Sequence, residues 1–327
     1  MATAPSLIRR ALLYVPGASQ KMLAKTQALK IDTVIYDLED SVAPDAKAAA
    51  RGLVARHLAD TSMSSTSRSP REVAVRINAV DTGLALEDLT EVLKSGDNLD
   101  TIVVPKVQGP EDLHFVADVV RHVAPHRSVR VNGSESPASK KTTSRPLNIL
   151  ALIESARGLS DINSICRAAH TTGLSGLAFA AEDFATELGL SRLPDRRELL
   201  FARSSIVTAA FAHNLPSVID LVSTGVPSDG ESRAALEHDS LEGRALGFTG
   251  KQCIHPLQVE IVQKAFGPSG ESLRWAVRVQ QGDAAARSEG KGAWKLDGKM
   301  IDAPIVKRAL VLLERARLCG IDITEFE

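Results

Sequence analysis

The fold is decided by the stretch Leu147-Asn-Ile-Leu-Ala-Leu-Ile-Glu154, an apolar run that ends on a carboxylate and leads directly into a helical pattern. A second stretch, Gly176-Leu-Ala-Phe-Ala-Ala-Glu182-Asp183, repeats the arrangement. A short apolar run followed by a helix is typical of a parallel strand that is covered on both faces. The sequence therefore predicts an α/β protein whose acidic residues follow the strands, where ligands bind in such folds.

The strand-then-helix unit occurs eight times between about residue 10 and residue 266. The strands are predicted to begin near Arg10, Ile31, Glu72, Thr101, Leu147, Gly176, Ser217 and Gly247. Eight units of this size match a (β/α)8 TIM barrel, which needs about 250 residues. A doubly wound sheet would also alternate, but eight units without a break favour closure. We predict a barrel over residues 1–267 and a C-terminal helical extension over 268–327, which caps its own barrel or lies on a neighbouring subunit.

The composition is that of an ordinary globular protein. The chain has 327 residues, 44% of them hydrophobic, and a net charge of −1, which argues against a nucleic-acid binder. Its three cysteines lie far apart, which predicts a reducing compartment without disulfides or a zinc site. We expect no membrane span and no targeting segment, hence a cytoplasmic protein, or a mitochondrial-matrix protein if a precursor is processed. The serine-rich segment 60–71 is predicted to be a surface loop, and segment 130–146 a flexible insertion before the fifth strand.

Polar residues at the predicted C-terminal strand ends converge on one rim of the barrel. They are Asp37, Glu39, Arg76, Lys106, Glu154, Glu182, Asp183, Asp220, Lys251 and His255. A rim salt bridge explains any single one of them equally well. The whole set favours an active site, because burying so many charges without a function costs free energy.

Glu154 and Asp183 are the predicted ligands of a magnesium ion. Two carboxylates plus waters suit Mg2+, and an α-hydroxy or α-keto carboxylate would complete its octahedron. Glu154 has an alternative interpretation as an acid beside a helix N-terminus. Glu182 cannot point the same way as Asp183 if the strand continues to that point, so we predict a supporting role for it.

Arg76 is the predicted electrophile, because its rigid fork can hold a carbonyl or carboxylate oxygen. Pairing of Arg76 with Asp37 or Glu39 is the alternative, and both can be true. Lys106 is predicted to support the site by neutralising these acids, not to form a Schiff base.

Two weaker candidates complete the set. The turn Pro16-Gly17, followed by Lys21 and Lys25, is a candidate site for a phosphate-bearing ligand, although a solvated helix face explains the lysines at least as well. Cys253 beside His255 is a poor candidate nucleophile, because no third group is near to orient it.

Eight short motifs, in register along the chain, resemble the citrate lyase beta-subunit-like family. They are Leu12-Leu-Tyr-Val-Pro-Gly17, Tyr36-Asp-Leu-Glu-Asp-Ser-Val42, Val75-Arg-Ile-Asn78, Val104-Pro-Lys-Val107, Ala151-Leu-Ile-Glu-Ser155, Glu182-Asp-Phe184, Gly247-Phe-Thr-Gly-Lys-Gln-Cys-Ile-His-Pro256 and Asp297-Gly-Lys-Met-Ile-Asp-Ala-Pro304. This family is a branch of the metal-dependent aldolase barrels that includes malyl-CoA and citramalyl-CoA lyases. The resemblance covers about residues 9–316 and is greatest to the citramalyl-CoA-cleaving members. Departures are confined to the serine-rich loops around Met63 and Ser139.

The resemblance implies a barrel assembled as a homotrimer, or as a dimer of trimers, with Mg2+ held by Glu154 and Asp183. It implies that Arg76 faces the reacting carbonyl. It also implies that the C-terminal segment of one subunit closes over its neighbour's site and supplies Asp302 as an acid/base. The role of Asp302 does not follow from spacing.

The implied substrates are an acyl-CoA thioester and an α-keto acid. The implied reaction is a reversible Claisen-type cleavage of citramalyl-CoA to pyruvate and acetyl-CoA. A malyl-CoA lyase that uses glyoxylate, a carrier-protein-dependent citrate lyase beta subunit and a non-catalytic CoA-binding scaffold are the alternatives.

Overall fold

The computed structural model describes residues 7–60, 70–127, 129, 146–288, 290 and 292–326. Eight parallel strands close into a barrel in sequence order, and the last pairs with the first. They are β1 (Ala11–Pro16), β2 (Thr33–Asp37), β3 (Glu72–Arg76), β4 (Thr101–Val104), β5 (Asn148–Ile153), β6 (Leu174–Phe179), β7 (Ser217–Asp220) and β8 (Gly250–Cys253). The predicted barrel is confirmed. The two predicted serine-rich loops lie largely outside the described residues.

Helices follow each strand of the barrel. They are α1 (Gln20–Thr26), α2 (Lys47–Leu58), α3 (Ala85–Lys94), α4 (Pro110–Val123), α5 (Ala156–Ser160), α6 (Ile162–Arg167), α7 (Ala169–Thr172), α8 (Ala181–Leu188), α9 (Leu200–Ala212), α10 (Gly230–Leu246) and α11 (Pro256–Phe266). One continuous helix was predicted over residues 159–171, where the structure has three short ones. None of the helices in the described residues is long and apolar enough to cross a membrane.

The alternation of side chains along the strands explains both the core and the position of the site. The interior of the barrel is filled by Leu12, Ile35, Ala74, Val103, Leu150, Leu152, Ala178 and Ile219. The strand residues that alternate with these, such as Val34 and Val73, point away from the interior and are equally buried. Most strands are therefore apolar on both faces. Two residues further along, four of these inward-facing rows carry polar side chains. These are Tyr14, Asp37, Arg76 and Glu154, at the C-terminal mouth of the barrel.

The N-terminal end of the barrel is closed by a buried ion pair. Arg9 Nη2 lies 2.7 Å from Glu72 Oε1, and Arg9 Nε lies 2.8 Å from Glu72 Oε2. Hydroxyl groups of Thr33, Thr101, Ser175 and Ser217 complete this network. Burial alone would raise the pKa of Glu72, but the charge and hydrogen bonds of Arg9 hold it below the usual value.

The chain forms two compact units. Among the described residues, one is the barrel, Arg9–Val262, and the other comprises residues 263–326 together with Leu7 and Ile8. The second unit contains α12 (Gly270–Ser288), a hairpin of β9 (Trp294–Leu296) and β10 (Lys299–Ile301), and α13 (Ala303–Leu318). Its own core is formed by Leu273, Ala276, Val277, Val279, Ile301, Val306, Ala309, Leu313 and Ala316.

Candidate active site

Five of the predicted site residues meet at the C-terminal mouth of the barrel in one network of contacts. They come from the ends of β2, β3 and β5 and from the segments that follow β2 and β4. They are Asp37, Glu39, Arg76, Lys106 and Glu154. The convergence predicted for these five residues is therefore observed.

Arg76 is held on the rim by a bidentate ion pair. Its Nε and Nη2 each lie 2.7 Å from an oxygen of Asp37, the last residue of the neighbouring strand. Asp37 also accepts hydrogen bonds from the backbone N–H groups of Glu39 and Ser41, at 2.9 and 3.1 Å. Burial alone would raise the pKa of Asp37, but the hydrogen bonds and charge of Arg76 hold it below its usual value. Asp37 therefore stays ionised and fixes the plane of the guanidinium.

Glu39 links the two cations of the rim. Its Oε1 accepts a hydrogen bond from Lys106 Nζ at 2.7 Å. Its Oε2 lies 2.9 Å from Arg76 Nη1, yet this buried oxygen lacks a partner in hydrogen-bond geometry among the described residues. The contact between Glu39 Oε2 and Arg76 Nη1 is thus an electrostatic attraction without hydrogen-bond geometry. Burial raises the pKa of Glu39 in spite of both cations.

Lys106 connects Glu39 with Glu154 through an unusual backbone conformation. Its φ is +51°, in the left-handed region that a residue with a Cβ seldom adopts. In this conformation its N–H lies 3.2 Å from Glu154 Oε1, while its ammonium group binds Glu39. Burial opposes the charge of Lys106, but the hydrogen bond and charge of Glu39 raise its pKa, so the side chain remains a cation. This geometry is the one expected of a lysine that neutralises the acids.

Glu154 follows β5 and is 3% exposed. The helix α5 is capped by Ser155, whose hydroxyl accepts a hydrogen bond from the N–H of Gly158 at 3.0 Å, so Glu154 does not serve as the cap. Glu154 Oε2 is buried and has no hydrogen-bond partner among the described residues. Burial, together with the charge of Glu39 and the carboxyl group of Asp183, raises the pKa of Glu154 to about 8.

Asp183 reaches Glu154 from a helix. The role predicted for Glu182 assumed that the strand continues to Glu182 and Asp183, but β6 ends at Phe179 and both residues lie in the first turn of α8. The carboxyl group of Asp183 interacts with that of Glu154, whereas Glu182 is exposed and pairs with Arg192 at 2.5 Å. The structure brings Asp183 to the rim network and directs Glu182 to the surface.

The Glu154–Asp183 pair fits a hard divalent cation. It offers carboxylate oxygens only, one of them buried without a partner, and a cation would stabilise the charged form that burial disfavours. The described residues contain no group of three or more His, Cys, Asp and Glu that could hold a metal by themselves. Two protein ligands would leave coordination positions for water and for substrate oxygens, as Mg2+ sites commonly do.

The predicted phosphate-binding residues surround the turn after β1. The N–H of Gly17 donates to the carbonyl oxygen of Asp37 at 2.8 Å. Lys21 and Lys25 are exposed on α1, whose N-cap is Ser19. Their positions are compatible with either a ligand site or a solvated helix face.

Asp302 belongs to the C-terminal unit. It is the N-cap of α13, and its Oδ1 accepts a hydrogen bond from the N–H of Ile305 at 3.3 Å. A hairpin, β9–β10, precedes it directly. Asp302 therefore has a structural role in its own unit, whatever its part in chemistry.

The prediction that Asp220 and Lys251 lie on the rim is wrong. Asp220 Oδ2 lies 2.7 Å from Arg203 Nη2 on α9, and Lys251 Nζ lies 2.9 Å from Asp239 Oδ2 on α10. Both side chains thus point outward between strand and helix, because the residues before and after them, Ile219 and Gln252, face the interior. Burial accordingly lowers the pKa of Lys251 to about 8.

Two inward-facing residues of the mouth were not predicted from the sequence. Tyr14 lies beneath Arg76, whose Cζ is 4.9 Å from the centroid of the phenol ring. The Tyr14 hydroxyl lies 2.8 Å from Gln252 Oε1. The signal that could have identified Tyr14 is its spacing, two residues after the core residue Leu12 on a strand that ends at the site.

Comparisons with known proteins agree with the fold. The sequence profile of the HpcH/HpaI aldolase/citrate lyase family matches residues 10–256. Mitochondrial citramalyl-CoA lyase of Homo sapiens is 35% identical over 307 residues, with 92% of this chain and 83% of that protein covered. Citrate lyase subunit beta of Escherichia coli (strain K12) is 33% identical over 313 residues, with 96% and 95% covered.

A solved structure is similar over nearly the whole chain. It is protein CitE of Mycobacterium tuberculosis in complex with magnesium, acetoacetate and coenzyme A. The two proteins share 30% sequence identity and superpose with a TM-score of 0.69, and the match covers 95% of this chain and 99% of that one.

Proposed function

The chain belongs to the HpcH/HpaI aldolase/citrate lyase family, and we propose that it is a magnesium-dependent carbon–carbon lyase that cleaves citramalyl-CoA reversibly to pyruvate and acetyl-CoA. The observation that carries this proposal is the Glu154–Asp183 carboxyl pair at the mouth of the barrel, beside the cations Arg76 and Lys106. The similar CitE structure, which contains magnesium and coenzyme A, supports the choice of both ligands.

Glu154 and Asp183 are the residues that would hold the metal. When bound, Mg2+ would polarise the oxygens of a keto acid and orient its carboxylate. The N–H of Lys106 holds one oxygen of Glu154 and thereby leaves the other, Oε2, available to a cation. Asp37 and Glu39 keep Arg76 and Lys106 in place, which makes them supporting residues in this proposal.

Arg76 is proposed to face the reacting carbonyl. During cleavage the hydroxyl proton passes to solvent water, and the bond between the hydroxyl-bearing carbon and the carbon next to the thioester breaks. The electron pair of that bond becomes the enolate of acetyl-CoA, and the hydroxyl-bearing carbon becomes the keto carbon of pyruvate. A guanidinium fixed in advance by Asp37 offsets the developing negative charge without having to reorganise.

Asp302 is proposed to protonate the enolate carbon. A carboxylic acid positioned within reach of that carbon would act as a general acid in this direction and as a general base in the reverse one. We propose that it comes from a neighbouring subunit of a homotrimer, or of a dimer of trimers, by closure of the C-terminal unit. The hairpin β9–β10 and the cap of α13 give the Asp302 carboxyl a defined position in that unit.

Coenzyme A is proposed to bind along the turn after β1. Pro16 and Gly17 would allow close approach of the ligand, and Lys21 and Lys25 would face its phosphates. Exposed lysines next to an anionic ligand strengthen binding through charge attraction that salt weakens. A cytoplasmic location is our first proposal, with the mitochondrial matrix as the alternative because the human relative is a mitochondrial protein.

One second candidate function has a specific observation in its favour. The Escherichia coli relative is a citrate lyase beta subunit and is almost as similar as the citramalyl-CoA lyase, at 33% against 35% identity. A malyl-CoA lyase differs only in the side chain of the keto acid, a difference worth about 1–3 kcal/mol in a hydrophobic pocket.

The test is acetyl-CoA release from citramalyl-CoA, malyl-CoA and citryl-CoA, each with MgCl2 and with EDTA. We expect EDTA-sensitive cleavage, fastest with citramalyl-CoA. Faster cleavage of malyl-CoA would keep the mechanism and change the substrate, and faster cleavage of citryl-CoA would favour the citrate lyase subunit. Absence of cleavage of all three with magnesium present would reject the lyase and favour a non-catalytic CoA-binding protein.

A further inference from the structure

Gln252 has a fixed amide orientation inside the barrel. This residue of β8 is 5% exposed, and its Nε2 lies 2.9 Å from the carbonyl oxygen of Phe179 and 3.2 Å from that of Asp220. Those carbonyls lie one residue beyond Ala178 and Ile219, the last residues that pair β6 with β7. The amide nitrogen can only donate, and these two carbonyls engage both of its hydrogens. Oε1 is therefore the atom of the Gln252 amide that accepts a hydrogen bond from another group.

Tyr14 is therefore anchored in a defined direction. Gln252 Oε1 can only accept, so the Tyr14 hydroxyl, 2.8 Å away, donates to it. The ring consequently has two fixed points, its Cα on β1 and its hydroxyl over β8. A ring held at both ends cannot rotate away from the residue above it.

The residue above the ring is Arg76. Its Cζ lies 4.9 Å from the ring centroid, within the range of a cation–π contact. Asp37 binds the guanidinium edge-on, so it restrains the plane of the group but not its height above the barrel floor. Arg76 Nη1 also lies 2.9 Å from Glu39 Oε2 and 3.1 Å from Asp40 Oδ2, and the Tyr14 ring adds a contact with the face of the guanidinium.

We propose that Tyr14 and Gln252 are positioning residues for Arg76: Gln252 locks the Tyr14 ring, and the ring supports the guanidinium at the height where it meets the reacting carbonyl. This inference rests on the proposed function, since it gives Arg76 its part in the reaction. Tyr14 packs against the core cluster that contains Leu12, but it is only half-buried, so a positioning role adds to its packing role.

A double-mutant cycle tests the connection. We would measure kcat/KM of Tyr14→Leu, Arg76→Lys and the double variant with the best substrate and MgCl2. Tyr14→Leu should lower kcat/KM about tenfold in the native background, the size of a desolvated cation–π contact. It should have less than about a twofold effect when Arg76 is already lysine, because the residue through which it acts has changed. Equal losses in both backgrounds would overturn the proposal.

The hydroxyl anchor is tested with more conservative variants. Tyr14→Phe keeps the ring and Gln252→Leu removes the acceptor, so each should lower kcat/KM by less than Tyr14→Leu. Their double variant should lose no more than the worse single one, because both break the same hydrogen bond. The matched control is Tyr36→Phe on β2, whose hydroxyl contacts Thr26 and His57 outside the barrel interior. It should change thermal stability but not kcat/KM.

A readout that does not need turnover separates this proposal from the proposed function. The chain has two tyrosines, so 3-fluorotyrosine-labelled Tyr36→Phe protein gives a single 19F resonance, that of Tyr14. Gln252→Leu and Arg76→Lys should each shift it, and pyruvate with MgCl2 should shift it in the Arg76 protein but not in Arg76→Lys. If these shifts occur in a protein without lyase activity, the positioning roles of Tyr14 and Gln252 are supported and the proposed lyase function is rejected. A resonance that moves with neither substitution would overturn the pair even in an active enzyme.

Discussion

At the scale of single residues, Asp302 combines a structural and a proposed chemical role. Its carboxylate caps α13, and asparagine caps a helix as well as aspartate does but cannot transfer a proton. We predict that Asp302→Asn keeps the melting temperature and loses turnover. Asp302→Ala should lose turnover and about 1 kcal/mol of stability as well. Thermal unfolding and acetyl-CoA release measure the two effects, and normal turnover in the asparagine variant would exclude the chemical role.

Glu154 allows the metal site to be tested without an assay of turnover. Glutamine keeps the acceptor for the Lys106 N–H but removes the charge that a cation needs. We predict that Glu154→Gln weakens Mg2+ binding by more than about tenfold, a loss seen even when an outer partner of a metal ligand is removed. Because burial disfavours the charged form of Glu154, the same variant should be no less stable than the native protein.

Calorimetric titration with MgCl2 gives the affinity, and Glu91→Gln, an exposed residue of α3, is the matched control. Glu182→Gln distinguishes the two interpretations of that residue. A loss of affinity would support the predicted supporting role, and an unchanged affinity would agree with its exposed pairing with Arg192. Normal Mg2+ binding by Glu154→Gln would contradict the proposed site.

The sequence identified some mouth residues and misassigned others for one physical reason. Polar residues directly after apolar runs, such as Glu154, had to lie at the C-terminal ends of strands. In a strand that is buried on both faces, however, the sequence does not tell which alternate residues face the interior. Asp220 and Lys251 were therefore placed on the rim although they point outward, and Tyr14 and Gln252 were missed although they point inward.

At the scale of secondary-structure elements, Gly17 sets the distance between the ends of β1 and β2. A Cβ added at Gly17 would lie 2.6 Å from the carbonyl oxygen of Asp37, a backbone atom that cannot move without shifting the strand end. We predict that Gly17→Ala destabilises the protein by about 1–3 kcal/mol and displaces Asp37 and hence Arg76. Urea unfolding and kcat/KM should both respond.

The matched control is Gly225→Ala, where an added Cβ meets no atom within 4 Å. It should leave both the stability and kcat/KM nearly unchanged. A Gly17→Ala protein with native stability would show that the turn adjusts, and would leave ligand contact as the only reason for a glycine there.

Most of the elements were predictable because most strands contain an apolar run bounded by polar residues, although β8, Gly-Lys-Gln-Cys, does not. The boundaries of the elements were less predictable. The run that begins at Gly176 continues as Ala180 and Ala181 before the acids, and alanine fits a strand end and a helix start equally well. The structure ends β6 at Phe179, so α8 rather than a strand delivers Asp183 to Glu154. Local sequence cannot resolve that choice, which depends on where the helix packs.

At the scale of the whole molecule, the Arg9–Glu72 pair ties together strands from around the barrel and should dominate its acid stability. The folded protein holds the pKa of Glu72 below the value of about 4.3 expected in the unfolded chain. The unfolded state therefore binds more protons as the pH falls. The stabilisation is present above about pH 4.3 and is lost as the pH falls through the folded pKa.

We predict that Glu72→Gln loses about 3 kcal/mol at pH 7, since it leaves the buried Arg9 charge without its partner. The same variant should show a weaker dependence of stability on pH between 5 and 3, an interval of about two pH units around the carboxylate pKa values. Urea unfolding across that interval measures both effects. Glu91→Gln should keep the native pH dependence, and an equally steep acid loss in Glu72→Gln would assign the acid sensitivity to other carboxyls.

The division of the chain into two units raises the question of which subunit supplies Asp302 to a given barrel. If the C-terminal unit of one subunit closes over its neighbour, a barrel defect and a cap defect on different chains can complement each other. We predict that Glu154→Gln and Asp302→Asn proteins, each inactive alone, form active oligomers when they are co-expressed. With random mixing in a closed ring, half of the barrels are intact and half of their donors are intact, so about one quarter of native activity should return.

The control is the double variant Glu154→Gln, Asp302→Asn, which should restore nothing to either single variant because it supplies neither an intact barrel nor an intact donor. Light scattering on the same samples gives the mass of the assembly and separates a trimer from a dimer of trimers. If Asp302 acted within its own chain, no mixed oligomer could contain a complete site, and co-expression would stay inactive. Recovery of activity would thus show that the neighbouring subunit supplies the acid. If a verified mixed oligomer stays inactive, Asp302 does not act on the barrel of a neighbouring subunit.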